Sequence, residues 1–212
     1  MKQILVYADS LTWGIIPSTR RRLEFHERWP GVMESALNAD GGEYRVIENC
    51  LNGRRTAWED PYKPGRNALG DIAQAMEMNS PLALLILMLG TNDFQSMHPH
   101  NAWHSAQGTR ALVEAARNAP VEPGMNVPPI LIVAPPVIIE PRGSIAPKFQ
   151  GAEKKCVGLA GELEVVAGET DAHFFDSEEV ISASKVDGIH LDKEEHRILG
   201  EALAPLAREL AD

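Results

Sequence analysis

Short apolar runs alternate with amphipathic stretches through most of this chain. Residues 4–7, 45–48, 82–89, 130–134 and 173–175 predict strands, and helical periodicity fills the intervals between them. Between the first two runs, Phe25, Trp29, Val32, Met33, Ala36 and Leu37 recur at helical spacing and would lie on one face against a sheet. A second helix is predicted near the C-terminus, where Leu199, Leu203, Leu206 and Leu210 repeat the pattern. Asp192 and Glu195 have capping-box spacing at its start, so His190 should sit just before a helix. Strands separated by helices are usually parallel and joined by right-handed crossovers. The pattern therefore predicts a parallel sheet of about five strands with helices on both faces, a three-layer α/β/α domain.

The 212 residues suit a single domain spanning 1–212, long enough to bury one core. The 20 Lys and Arg against 30 Asp and Glu leave a net charge of −10, which repels a phosphate backbone and disfavours nucleic acid and anionic membrane as partners. The longest apolar run, 82–89, is far below the roughly 20 residues needed to cross a bilayer. The N-terminal run turns polar at Asp9-Ser10, before a signal-peptide core develops. Cys50 and Cys156 are too few for a disulfide framework or a structural zinc site, which fits two buried thiols in a cytoplasmic protein.

Sheets of this kind place their sites at the carboxyl ends of the strands, so the segments following each strand carry the search for chemistry. After the first strand comes Asp9-Ser10-Leu11-Thr12-Trp13-Gly14. A serine there is by itself better explained as a turn or helix-cap residue. The second exit contains Asn52-Gly53-Arg54, where a glycine can turn its N–H toward a ligand. The third is Gly90-Thr91-Asn92-Asp93, at the end of the most hydrophobic strand. Before the C-terminal helix stands Asp187-Gly188-Ile189-His190. At this spacing the carboxylate can accept the imidazole Nδ1–H and leave Nε2 free as a base.

These four segments, in this order, closely resemble the sequence blocks of the SGNH (GDSL-like) hydrolase family, and the resemblance extends over essentially the whole chain. The family's Ser, Gly, Asn and His fall on Ser10, Gly53, Asn92 and His190, with Asp187 as the usual acid. Ser-Leu-Thr-Trp-Gly, Gly-Thr-Asn-Asp and Val-Asp-Gly-Ile-His resemble the arylesterase and acyltransferase branch in particular. The resemblance implies the flavodoxin-like SGNH hydrolase fold and a serine esterase acting on short-chain aryl or alkyl acetates through an acyl-serine, with acyl transfer to alcohols as a side activity. It implies a Ser10, His190, Asp187 triad and an oxyanion hole formed by the N–H groups of Ser10 and Gly53 and the Asn92 amide. A small-molecule ester is then the partner, no cofactor or metal is called for, and a homo-oligomer is expected by analogy. One position departs from the family pattern: Ala8 stands where glycine usually precedes Asp-Ser, so the turn must be one that does not require positive φ there.

Two other readings accompany this one. The same site could remove O-acetyl groups from carbohydrate, or the fold could persist as a non-catalytic binding module. Neither a Gly-x-Ser-x-Gly elbow nor a nucleotide-binding glycine fingerprint occurs in the chain. Trp13 is a candidate wall for the substrate pocket and equally a core residue. His98, His100 and His104 form a histidine cluster without an acidic or cysteine partner at ligand spacing, which disfavours a metal. Arg20-Arg21-Arg22 and Arg54-Arg55 read as solvated, ion-paired surface, or as attraction for an anionic substrate. Segments 60–66, 119–129 and 135–147 are predicted long loops, available for pocket walls or oligomer contacts.

Overall fold

The computed structural model covers residues 1–212 and contains five strands: β1 (Lys2–Ala8), β2 (Tyr44–Cys50), β3 (Leu84–Met88), β4 (Ile130–Ala134) and β5 (His173–Asp176). All pair in parallel, in the order β2-β1-β3-β4-β5. β3 and β4 are buried at every position, which explains their unbroken apolar runs: helices cover both faces of these strands, so no solvent side exists to demand alternation. Edge strand β2, with one neighbour, buries only Val46 fully.

The α-helices are α1 (Ser10–Trp13), α2 (Trp29–Asn38), α3 (Ile72–Asn79), α4 (Ala102–Arg117), α5 (Ala152–Lys155), α6 (Leu159–Glu169) and α7 (Lys193–Ala211). α2 and α7 pack together on one face of the sheet, while α3, α4 and α6 form the opposite layer. A cluster of 49 buried apolar residues joins the layers. From β1 the chain moves outward to β2, then returns past β1 to build β3, β4 and β5. The loops after β1 and β3 therefore leave in opposite directions and open a crevice at the carboxyl ends, where sheets of this topology bind ligands.

Two local expectations are corrected. The predicted helix from Phe25 is broken: Phe25–Glu27 forms a separate 3-10 turn, and α2 begins at Trp29-Pro30, because proline fits the first helical turn and not the interior. Phe25 is accordingly left 37% exposed, while Trp29, Met33 and Leu37 are fully buried. The capping box of α7 does not form either. Asp192 makes no side-chain bond to the helix end and instead accepts the Ser184 hydroxyl at 2.9 Å. That contact fastens the His190 segment to the loop before it.

Candidate active site

At the end of β1 the carboxylate of Asp9 accepts the N–H of Leu11 at 2.9 Å, capping α1 and turning the chain so that Ser10 becomes its first residue. A first-turn N–H has no intrahelical acceptor, so that of Ser10 is available to a ligand. Ala8 ends β1, pairs with Cys50 and Met88 and is fully buried. The only non-glycine residues with positive φ are Ser18 and Asp171. The turn thus places no demand for glycine at position 8, and the one departure from the family pattern is accommodated within the strand.

The loop before α7 brings in the other two groups. His190 Nε2 lies 3.3 Å from Ser10 Oγ, and His190 Nδ1–H donates to Asp187 Oδ2 at 2.8 Å. Both rings of contact are nearly dry, with Ser10 6%, His190 4% and Asp187 2% exposed. Asp187 Oδ1 accepts the backbone N–H groups of Ile189 and His190, each at 3.0 Å, and Ser18 N–H reaches Oδ2 at 3.3 Å. Burial pushes the Asp187 carboxyl up, but the His190 hydrogen bond and charge and the two backbone donors outweigh it and hold the group at about 2. With Nδ1–H committed to this carboxylate, Nε2 presents a lone pair to the Ser10 hydroxyl. At 3.3 Å the contact is at the long end for a hydrogen bond. Gly188 lets the loop run this tightly: its φ is +82°, and a Cβ there would lie 2.4 Å from the Glu140 carbonyl oxygen.

Opposite the imidazole, Gly53 has φ +84° and its N–H has no partner in the protein, while Gly53 and Asn92 line the same cavity as Ser10. The Asn92 amide is fixed at both ends. Its Nδ2 donates to Asp9 Oδ2 at 2.8 Å, and its Oδ1 accepts from Gln95 Nε2 at 2.6 Å. A carboxylate beside one end and a donor beside the other set the amide orientation, leaving the second Nδ2 hydrogen for the cavity. Gln95 in turn accepts from Arg55, whose guanidinium is fully buried and also reaches Asp60, the Gly53 carbonyl and His98. Burial raises Asp9 to about 6 against the Leu11, His190 and Asn92 contacts that favour its charge.

Several of these residues escape a reading of the sequence alone. Asp9 was visible only as a neighbour of Ser10, and Gln95 carried no signal beyond its three-residue spacing from Asn92. Arg54 and Arg55 are not solvated surface: they are 4% and 0% exposed. The guanidinium of Arg54 donates to the carbonyls of Ala8 and Asn49 at the ends of β1 and β2, joining the Leu51 N–H on the Ala8 oxygen. Trp13 does not line the cleft; it lies half-buried beneath the Arg22 guanidinium, 4.6 Å from its ring centroid. The histidines form a stack, His98 on His100 at 4.9 Å, in which His98 Nε2 faces the Arg55 donor and His104 joins Asn101 in capping α4.

A hydroxyl, an imidazole and a carboxylate in one hydrogen-bonded row at the carboxyl edge of a five-stranded parallel sheet define a serine hydrolase, one that lacks the α/β-hydrolase elbow. The chain belongs to the GDSL-like lipase/acylhydrolase family, whose model matches residues 9–198. It is similar to an aryl esterase from M. smegmatis in its inhibitor-bound form, with 34% identity, 99% of this chain and 100% of that one covered and a TM-score of 0.93. It is likewise similar to a carbohydrate acetylesterase from Sinorhizobium meliloti, with 32% identity, 99% and 100% coverage and a TM-score of 0.91. No curated protein matches the sequence. The protein is a carboxylic ester hydrolase of this family, and no helix is long and apolar enough to cross a membrane.

Proposed function

We propose that Ser10, His190 and Asp187 act as nucleophile, base and orienting acid in hydrolysis of short-chain carboxylic esters. The observation that carries this reading is the continuous row from Ser10 Oγ through the imidazole to a carboxylate pinned by backbone donors. As Ser10 Oγ attacks the ester carbonyl, its proton passes to His190 Nε2, and the charge that forms on the ring faces Asp187. The carbonyl oxygen becomes an oxyanion facing the N–H groups of Ser10 and Gly53 and the free Asn92 hydrogen. Collapse breaks the bond to the alcohol oxygen, which takes the proton from His190 and leaves an acyl-serine. Water then gives its proton to His190, attacks the acyl carbon and releases the acid with Ser10 reprotonated.

The cavity at Ser10 is about 70 Å³, walled by Ile15, Phe149 and the oxyanion donors, which suits an acetyl group better than a long chain. An alcohol in place of water would give acyl transfer by the same second step. A homo-oligomer, with the proline-rich loops as contacts, and a cytoplasmic setting for the two free thiols complete this reading. The test compares p-nitrophenyl acetate with p-nitrophenyl octanoate for the wild type and Ser10→Ala. Acetate hydrolysis abolished by the substitution is the expected result; octanoate preferred over acetate, or activity surviving in Ser10→Ala, would overturn it.

A further inference from the structure

The cleft around the nucleophile is positively charged in a protein whose net charge is −10. Two adjoining cavities meet at His190. One, about 200 Å³, is bounded by Arg20, Arg142 and Lys148 together with Asp187 and His190; the smaller one at Ser10 is bordered by Arg20, Lys63 and Lys148 and by no carboxylate. Arg142 is paired with Glu140, but Arg20, Lys63 and Lys148 take part in none of the ion pairs of the protein. Acids outnumber bases in this chain, so carboxylates were available to pair with them. The carboxylates nearby are already committed: Asp60 to Arg55 and to backbone N–H groups, Asp187 to His190. Lys148 is held below the ordinary lysine range, first by partial burial and then by the charge of Arg55; Lys63 and Arg20 add to this, against the opposing charge of Asp60. Like charges gathered without a direct ion-pair partner of their own are mutually repulsive, and an anionic ligand relieves them.

The side of the cleft also matters. His190 returns its proton to the departing alcohol, so that portion of the ester lies on the imidazole side, against the larger cavity. Only one of the nine residues lining this cavity, Ile145, is hydrophobic, which fits a polar group and not an alkyl chain.

We propose that the alcohol portion of the natural ester carries a carboxylate or phosphate, bound by Arg20 and Lys148 with Lys63 at the rim. The inference rests on the esterase reading of Ser10 and His190 and adds the chemical class of the leaving alcohol. Arg20 supplies a planar fork for two oxygens, and Lys148 a compact charge. Steering of an anion into the cleft makes the preference dependent on salt.

The test uses three acetates with the charge at one position of the leaving phenol: 3-acetoxybenzoate, 3-acetoxyphenyl phosphate and the neutral 3-acetoxybenzamide. kcat/KM for each is divided by its hydroxide-catalysed rate. Hydrolysis of the amide by the wild type and its loss in Ser10→Ala read the esterase site separately from charge preference. The expected result is that at least one anionic ester is favoured over the amide by about tenfold at low salt, with the preference shrinking at about 0.5 M NaCl. The two anions differ in that preference if the site is built for one of them. In Arg20→Gln/Lys148→Gln the ratio falls to about one; because it is a ratio, any general loss of activity cancels. Amide turnover equal to or faster than both anionic esters, or a preference that survives the double substitution, would overturn the proposal.

Discussion

Asn92 offers the sharpest test of how this cleft stabilises charge. Its amide has one hydrogen on Asp9 and its oxygen on Gln95, so the remaining hydrogen is aimed at the cavity before substrate arrives. A donor fixed in advance pays no reorganisation at the moment the oxyanion forms. Removing one such donor typically costs roughly 100–1,000-fold in turnover, about 2.7–4 kcal/mol, and Asn92→Ala should fall in that range. Gln95→Leu leaves the donor in place and removes one of its two anchors. The loss of one hydrogen bond's worth of positioning, about 1–1.5 kcal/mol, predicts a roughly tenfold lower kcat with little change in KM. Arg55 keeps Asp60, the Gly53 carbonyl and His98 when Gln95 is replaced, so the fold should survive with a stability loss of about 1–3 kcal/mol. The assay is steady-state hydrolysis of p-nitrophenyl acetate by wild type, both single variants and the double variant. If Gln95 acts through Asn92, Gln95→Leu costs almost nothing further in the Asn92→Ala background. Equal kcat losses from Gln95→Leu in both backgrounds would refute the positioning argument.

Other expectations follow from the same geometry. Asp187→Asn preserves the shape of the loop but withdraws the charge facing the imidazole, and kcat should drop by about 10⁴-fold, measured with the same ester. Gly188→Ala drives a methyl group into the Glu140 carbonyl and strains a φ of +82°; urea unfolding should show a lower midpoint, with a loss of at least about 2 kcal/mol. The buried ring of His196 is held down to about 3 by burial and by the charges of Arg28 and His190, while its Nδ1 accepts the Trp29 N–H. Because the folded state disfavours protonation, the stability tied to neutral His196 is full above the unfolded pKa of about 6.5 and falls as pH drops toward 3. His196→Asn, which retains an acceptor for Trp29, should flatten the wild-type decline in melting temperature across that window; an unchanged slope would show that other groups set it.

Signals confined to neighbouring residues carry the architecture of this protein. Five apolar runs separated by helical periodicity gave the parallel α/β/α architecture, since period and run length follow from the geometry of each element alone. Ser10, Gly53, Asn92 and the Asp187–His190 pair stand at strand exits marked by short polar segments, but each alone reads as a turn, a cap or a surface pair; it is the resemblance to the family's four blocks that makes them candidates. Features that depend on distant groups meeting emerge only once the chain is folded. Asp9, Asn92, Gln95 and Arg55 come from three strand exits, and they form one chain only because the sheet order reverses at β1 and β3 and closes those exits around a single crevice. Arg54 reads as surface until the carbonyls of Ala8 and Asn49 take its guanidinium, and Trp13, equally a pocket wall or a core residue in the sequence, lies half-buried under Arg22. The cationic character of the cleft is of the same kind: Arg20, Lys63 and Lys148 are scattered along the chain, and only folding brings them to one cavity, where the nearby acids Asp60 and Asp187 are already paired with Arg55 and His190.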